Sequence, residues 1–490
     1  MSIRRTSLPA LLVSSLALSS VLGFSHSVGT QSNLGNAQPA IAAAASPSTL
    51  YLPLVNNRFP PPPSVFGVEI NRGQVAATIS QAADAGAYWV RYGSILWNEV
   101  EAVQGNFNWN ALDGMASEIE MIRANGMEPM VIIRGTPTWA QKIPGYYCGS
   151  IKDEYLDEFA SFVQQVVDRF KVAPYQVKYW EIYNEPDVHP EIVEPNSGYG
   201  CWGNLNDEYY GGGDYATMLR YVYPAIKQAD PSAQVIFGGL LLVCDPAISP
   251  DYCKAAKFLE GVLRNGGAPY FDILAYHSYP YWFPDPPNYE WDLQQWLWNH
   301  RRGVFLGKLD YLREILTSYN VQKPIMMNEG GMVCGWNGGS DYQRCLDGTL
   351  YVTQANYIVR LYARAWSNNV IGAVWYTLDG TGWREGGLLD NNQQPRPAYN
   401  AFKFLANLLR EAKYAGQLSS GTLEGYAFSN DKTHRTYYIY WSNDSAVTFN
   451  LQKPAGTLAV YNQLGEKITL VTDPIIISFD PITIIEISTP

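Results

Sequence analysis

The chain has 490 residues, of which 47% are hydrophobic, 14% aromatic and only 16% charged. Aromatic richness at low charge excludes a disordered chain, and 42 glycines without a three-residue period exclude a collagen-like one. A net charge of −11 argues against a nucleic-acid partner, which would want a basic face, and suits a protein that meets a neutral ligand.

In chain order, the first segment reads as an address. Arg4 and Arg5 precede an apolar stretch over 8–24 diluted by serines, the pattern of a secretory signal and not of a stable membrane span. Residues 1–46 are therefore expected to form a signal peptide region. The expected location is extracytoplasmic, secreted or at the cell surface, with no membrane association beyond the export signal. Residues 47–64 end in Pro60 to Pro63, which neither a helix nor a central strand accepts, so a linker is expected there.

From 65 to 410, short β-rich runs alternate with amphipathic stretches. Strands are expected over 65–70, 88–92, 130–134, 177–183, 234–239, 273–279, 324–328 and 371–377. Helices are expected over 112–124, 155–170, 215–228, 255–264, 307–319, 354–367 and 399–409. The clearest helix, 155–170, carries apolar residues at 156, 159, 162, 163, 166, 167 and 170, close to a 3.6-residue period. Strands alternating with helices imply parallel βαβ units, and eight such units fit a (β/α)8 TIM barrel over 65–410. Beyond it, the runs 436–441, 447–451, 457–461 and 475–479 are β-branched or aromatic and separated by turn residues. They predict a small all-β, sandwich-like accessory domain over 415–490, packed on the barrel as a support.

Six cysteines, at 148, 201, 244, 253, 334 and 345, make an even set in a chain read as exported, so disulfides are expected. Short separations favour Cys244–Cys253 and Cys334–Cys345, leaving Cys148–Cys201. No C-x-x-C or H-x-x-x-H cluster calls for a metal, and no P-loop or G-x-G-x-x-G calls for a nucleotide, so neither metal nor cofactor is expected.

Catalysis in such a barrel sits at the carboxyl ends of the strands. The fourth strand runs out through Trp180-Glu181-Ile182-Tyr183-Asn184-Glu185-Pro186, and the seventh through Met327-Asn328-Glu329-Gly330-Gly331. Each offers a carboxyl at the rim of an apolar strand. Two carboxyls converging on one cleft suit glycosidic bond cleavage, one donating a proton and the other attacking or stabilising the sugar cation. Glu181 shares the inward parity of Tyr183 and Glu185, and is expected to be a buried partner, not a reacting group.

Asn184-Glu185-Pro186 on strand four with Glu329 on strand seven resembles the clan A retaining glycoside hydrolases. Arg91, His277-Ser278-Tyr279 and Trp375 add to the match, and Gly135-Thr136-Pro137-Thr138-Trp139-Ala140 looks most like family 39 and related endoglycosidase branches. Strand three ends in Arg134-Gly135, where some clan branches place a histidine. The resemblance implies Glu185 as acid/base and Glu329 as nucleophile. It implies Asn184 on the sugar 2-hydroxyl, Arg91 and Tyr279 on the nucleophile, His277 lining the site and Trp375 as a sugar platform. A retaining pair should lie about 5–5.5 Å apart.

The loops after strands three, four, six and seven are rich in aromatic residues. Trp139, Trp282 and Trp336 are candidates to stack on sugar rings; other loop aromatics would pack the loops onto the barrel. The expectation is a secreted, monomeric retaining glycosidase acting on a poly- or oligosaccharide, with a β-linkage favoured. The alternatives are a transglycosylase of the same clan and a non-catalytic carbohydrate-binding barrel.

Overall fold

The computed structural model describes residues 64–71, 75–194, 197–284, 290–336 and 338–488. The expected signal region, and the linker except its last residue, lie outside the described residues. No helix among the described residues is long and apolar enough to cross a membrane.

Eight parallel strands appear where the runs were expected: β1 Phe66–Ile70, β2 Trp89–Leu96, β3 Glu128–Arg134, β4 Tyr179–Ile182, β5 Gln234–Phe237, β6 Leu274–Ser278, β7 Ile325–Gly330 and β8 Val370–Trp375. Their order is β5-β4-β3-β2-β1-β8-β7-β6. Parallel bridges Ile236 to Ile273 and Leu240 to Tyr276 bring β5 against β6 and close the barrel. Each strand is followed by a helix: α1 Val75–Ala85, α2 Asp113–Ala124, α3 Leu156–Phe170, α4 Gly212–Ala229, α5 Phe258–Arg264, α6 Gly303–Ser318, α7 Thr349–Ser367 and α8 Pro397–Leu408. The sequence reading lacked only α1, whose segment VAATISQAADA is rich in alanine and carries few large apolar side chains.

The inside of the barrel has two levels. Trp89, Met130, Ile236, Ile273, Ala275, Met326 and Val374 form a small apolar core of their own. Two residues further along their strands, towards the carboxyl ends, the inward positions become charged: Arg91 on β2 and Glu181 on β4, with Glu69 of β1 paired in register with Arg91. The apolar level fills the barrel, and the charged one supports whatever lies in its mouth.

The C-terminal segment forms antiparallel sheets. Strands β9 Lys413–Gln417, β10 Leu423–Asn430, β11 Arg435–Ser442, β13 Thr457–Tyr461 and β15 Thr483–Ser488 make one sheet in the order β9-β10-β11-β15-β13, while β12 Phe449–Leu451 pairs with β14 Ile475–Ile477. One side of the large sheet, with Phe428, Ile439, Trp441 and Ile484, belongs to the same apolar core as the barrel helices. Its other side, with Tyr440, Val460 and Ile485, closes on Ile475 and Ile477 of the ribbon.

Candidate active site

The end of β4 makes an abrupt turn. Tyr183 and Glu185 both adopt left-handed backbone, φ 60° and 47°, an unusual state for residues with side chains and one that clusters at functional sites. Neighbouring strands hold the turn. Tyr183 N–H donates to Ile133 O, Glu185 N–H donates to Gly239 O at 3.0 Å, and Pro186 follows where no further donor is needed. The Tyr183 hydroxyl lies 2.6 Å from the Thr136 hydroxyl.

The turn aims Glu185 at Glu329. One oxygen of each carboxylate and the His277 ring nitrogen lie within 4.8 Å of one another. His277 Nδ1 is 2.7 Å from Glu185 Oε1 and 3.7 Å from Glu329 Oε1. Such a set could ligate a cation, but three of its four carboxylate oxygens already have hydrogen-bond partners. Tyr279 donates its hydroxyl to Glu329 Oε1 at 2.5 Å, and Arg91 Nη1 donates to Glu329 Oε2 at 2.5 Å. Burial would raise the Glu329 carboxyl, but His277, Arg91 and Tyr279 together hold it below its ordinary value. His277 moves the other way. Burial disfavours its cation, and Glu329 with Glu185 overcomes that to raise it.

Arg91, fully buried, is the hub of the mouth. Its guanidinium donates to Glu181 through Nε at 2.8 Å and Nη2 at 3.0 Å, and to Glu69 through Nη1 at 2.6 Å. Nη2 also reaches Asn184 Oδ1 at 2.6 Å. This last contact fixes the amide. With Oδ1 on the cation, the Asn184 NH2 lies on the other side of the amide. Glu181 is thus the buried partner its parity suggested. Glu69 was not singled out from the sequence. Three carboxylates share one cation there, and burial, against the pull of Arg91, pushes the Glu69 carboxyl up to about 7. The available signal was a lone acid in the apolar run Phe66-Gly67-Val68-Glu69-Ile70.

Small residues make room beneath the pair. A Cβ on Gly239 would fall 2.1 Å from His277 Nε2 and 2.5 Å from Asn328 Oδ1, so nothing larger than glycine fits under the imidazole. Asn328, just before Glu329, was also not singled out, and it is wholly buried.

The aromatic expectations need correction. Trp375 is fully buried: its indole N–H donates to Gly386 O at 2.7 Å, and Gly331 lies against its ring. It forms a wall and offers no open sugar platform. Trp282 is likewise buried, in a two-residue parallel ladder that joins the loops after β6 and β7. Trp139 and Trp336 are half-buried and packed edge-on against Trp97 and Phe283, at 5.1 and 4.8 Å. Long loops need cores of their own, and these rings supply them. Tyr289, another ring of the loop after β6, lies outside the described residues. Trp383 is an exposed ring near the site, 41% exposed and edge-on to Tyr279 at 5.1 Å.

The disulfides pair as expected: Cys148–Cys201 ties the loops after β3 and β4, Cys244–Cys253 closes the loop after β5, and Cys334–Cys345 the loop after β7.

The fold is a (β/α)8 barrel with an antiparallel C-terminal sheet, and solved structures share it. A family 39 glycoside hydrolase from Bacteroides cellulosilyticus WH2 superposes with a TM-score of 0.64 at 19% identity, covering 87% of this chain and 81% of its own. A GH30 endoxylanase from Clostridium papyrosolvens C71 gives 0.56 at 10% identity, covering 85% and 93%. An α-L-arabinofuranosidase from Thermotoga maritima gives 0.54 at 15%, covering 87% and 96%. At these identities the likeness is one of fold. No family model and no curated protein matches the sequence.

Proposed function

We propose that this chain is an exported retaining glycoside hydrolase that cleaves O-glycosidic bonds, β-linked, in a poly- or oligosaccharide. The observation that carries this reading is the approach of Glu185 and Glu329 to within 4.8 Å, oxygen to oxygen, at the carboxyl ends of β4 and β7. Carboxyls this close suit direct attack better than the wider separation with which an inverting enzyme holds a water.

The surroundings divide the labour. Glu329, kept ionised by Arg91 and Tyr279, attacks the anomeric carbon. Glu185 is held through Oε1 by His277, which leaves Oε2 to carry the proton to the leaving oxygen. The glycosidic bond breaks as the Glu329–sugar ester forms and the leaving alcohol takes the proton of Glu185. Glu185, now a carboxylate, removes a proton from water as the water oxygen attacks the same carbon. The ester bond breaks, and both carboxyls return to their starting states. The Asn184 NH2 would bond the 2-hydroxyl, a contact that tightens in the transition state. The three structures named above are described as glycoside hydrolase, endoxylanase and arabinofuranosidase, which agrees with this reading.

The test is a 2-deoxy-2-fluoro glycoside with a good leaving group. Turnover should stall with the sugar bound to one residue, and peptide mass mapping should find it on Glu329. Products of inverted configuration, or a label on another residue, would overturn the assignment.

A further inference from the structure

Arg134 closes β3. Its neighbour in register is Leu96, and its parity with Met130 and Ile132 turns it inward, into the barrel mouth above Arg91. Its Nε donates to Ser94 Oγ at 2.9 Å. Nη1 and Nη2 meet no acceptor among the described residues, and the residue is half-buried. The carboxylates within electrostatic reach do not close on it: Glu181 is bonded twice to Arg91, and Glu99 is exposed and out of contact. Burial and the neighbouring Arg91 push the guanidinium down to about 10, the direction of a cation short of negative charge. The loop after β4 passes close by, since a Cβ on Gly198 would lie 3.3 Å from Nη2. Arg384, another rim arginine, is engaged differently: it lies over the rings of Tyr281 and Trp383 at 5.1 and 4.9 Å.

A half-buried guanidinium with one edge held by Ser94 and no acceptor on the other among the described residues presents a planar fork that matches an anion with two or three oxygens. In a chain of net charge −11, a cation in the cleft with no carboxylate bonded to it among the described residues is not part of a general basic surface. We infer that Arg134 is a specificity-determining residue that binds a negatively charged group on the glycan, a carboxylate or a sulfate ester. This rests on the proposed glycosidase activity and narrows its substrate class, against the neutral ligand that composition alone suggests.

The test uses the full chain hydrolysing an aryl β-glycoside, with glucose, glucuronate and glucose 6-sulfate as competitors. In the wild type, one or both anions should inhibit at least about tenfold more tightly than glucose, the range of a charge-assisted hydrogen-bond pair. Which anion does so separates carboxylate from sulfate. The preference should vanish in Arg134→Gln, persist in part in Arg134→Lys, and weaken with added salt. Equal inhibition by all three sugars, no inhibition by either anion, or a preference unchanged in Arg134→Gln overturns the inference. Neutral turnover without charge preference would sink it alone, while failure to hydrolyse any aryl glycoside would sink the glycosidase reading with it.

Discussion

Two buried arginines, each surrounded by three carboxylates, organise different parts of this molecule. Arg91 in the barrel mouth meets Glu69, Glu181 and Glu329. Arg364 on α7 meets Glu290 and Asp292, from the loop after β6, and Glu424 of the C-terminal sheet. Around Arg364 the carboxylates are further bonded within the protein. Glu424 also accepts from Tyr426 and Asn443, and Asp292 accepts the N–H groups of Val304 and Phe305 at the start of α6. Around Arg91 one carboxylate, Glu329, also lies against His277 and Glu185 in the barrel mouth. The same ionic composition joins helix, loop and sheet around Arg364 and, on the proposed function, would hold the nucleophile around Arg91. The carboxyls record the difference. Burial would raise Glu424, yet Arg364, Tyr426 and Asn443 bring it down to about 2, whereas Glu69 beside Arg91 is up at about 7.

Breaking each cluster should therefore give different losses. The largest effect expected is in turnover: Glu329→Gln should lower kcat by about 10⁴-fold or more, with the thermal midpoint close to wild type. Glu185→Gln should cost roughly 10²–10⁴-fold, least for substrates whose leaving group needs no proton. Next comes the joint. Glu424→Gln should cost about 3–5 kcal/mol of stability at neutral pH, read by urea unfolding, with turnover per folded molecule little changed.

The pH dependence sharpens the contrast, because the two signs are opposite. A carboxyl held at about 2 against an ordinary 4.5 stabilises the fold fully above 4.5 and loses that contribution as pH falls towards 2. Glu424→Gln should thus lose progressively less against wild type as pH falls from 4.5 towards 2. A carboxyl raised from 4.5 to about 7 contributes fully below 4.5 and loses its contribution as pH rises through 7. Glu69→Gln should gain on wild type from pH 5 to 9, by roughly 1–3 kcal/mol. Parallel pH profiles for the two variants would show that the clusters do not differ in this way. The smallest effect belongs to the rim: Trp383→Ala should raise KM about threefold to tenfold, or ~1 kcal/mol, with kcat nearly unchanged.

The sequence showed most of the barrel because its strands are short β-branched runs between long amphipathic helices. It showed less of the C-terminal sheet. Strand β9, Lys-Tyr-Ala-Gly-Gln, alternates exposed and half-buried residues and carries a glycine, so little in it signals a strand. In the candidate site, Glu185 and Glu329 stood out as carboxyls at the rim ends of apolar strands. Glu69 was not, because its role follows from its register with Arg91, which only pairing reveals. The platform expectation for Trp375 failed because Gly331 and Gly386, on two separate loops, close over the ring, and loop packing cannot be read from a strand pattern.

The large C-terminal sheet lies between the barrel helices and the β12–β14 ribbon, with Trp441, its single tryptophan, wholly buried and bonded to Asn443. An appendage with one face free can be exchanged between enzymes like a cassette. This one is a shared wall: Arg360 of α7 donates to Phe479 O and lies over the Phe479 ring at 4.4 Å, so the barrel side has been shaped to fit it. Grafting the sheet onto another barrel, or another sheet onto this barrel, would leave buried arginines without acceptors on one side of the seam. The two parts are therefore constrained to change together, and a library that recombines such enzymes should place its crossover points away from this seam.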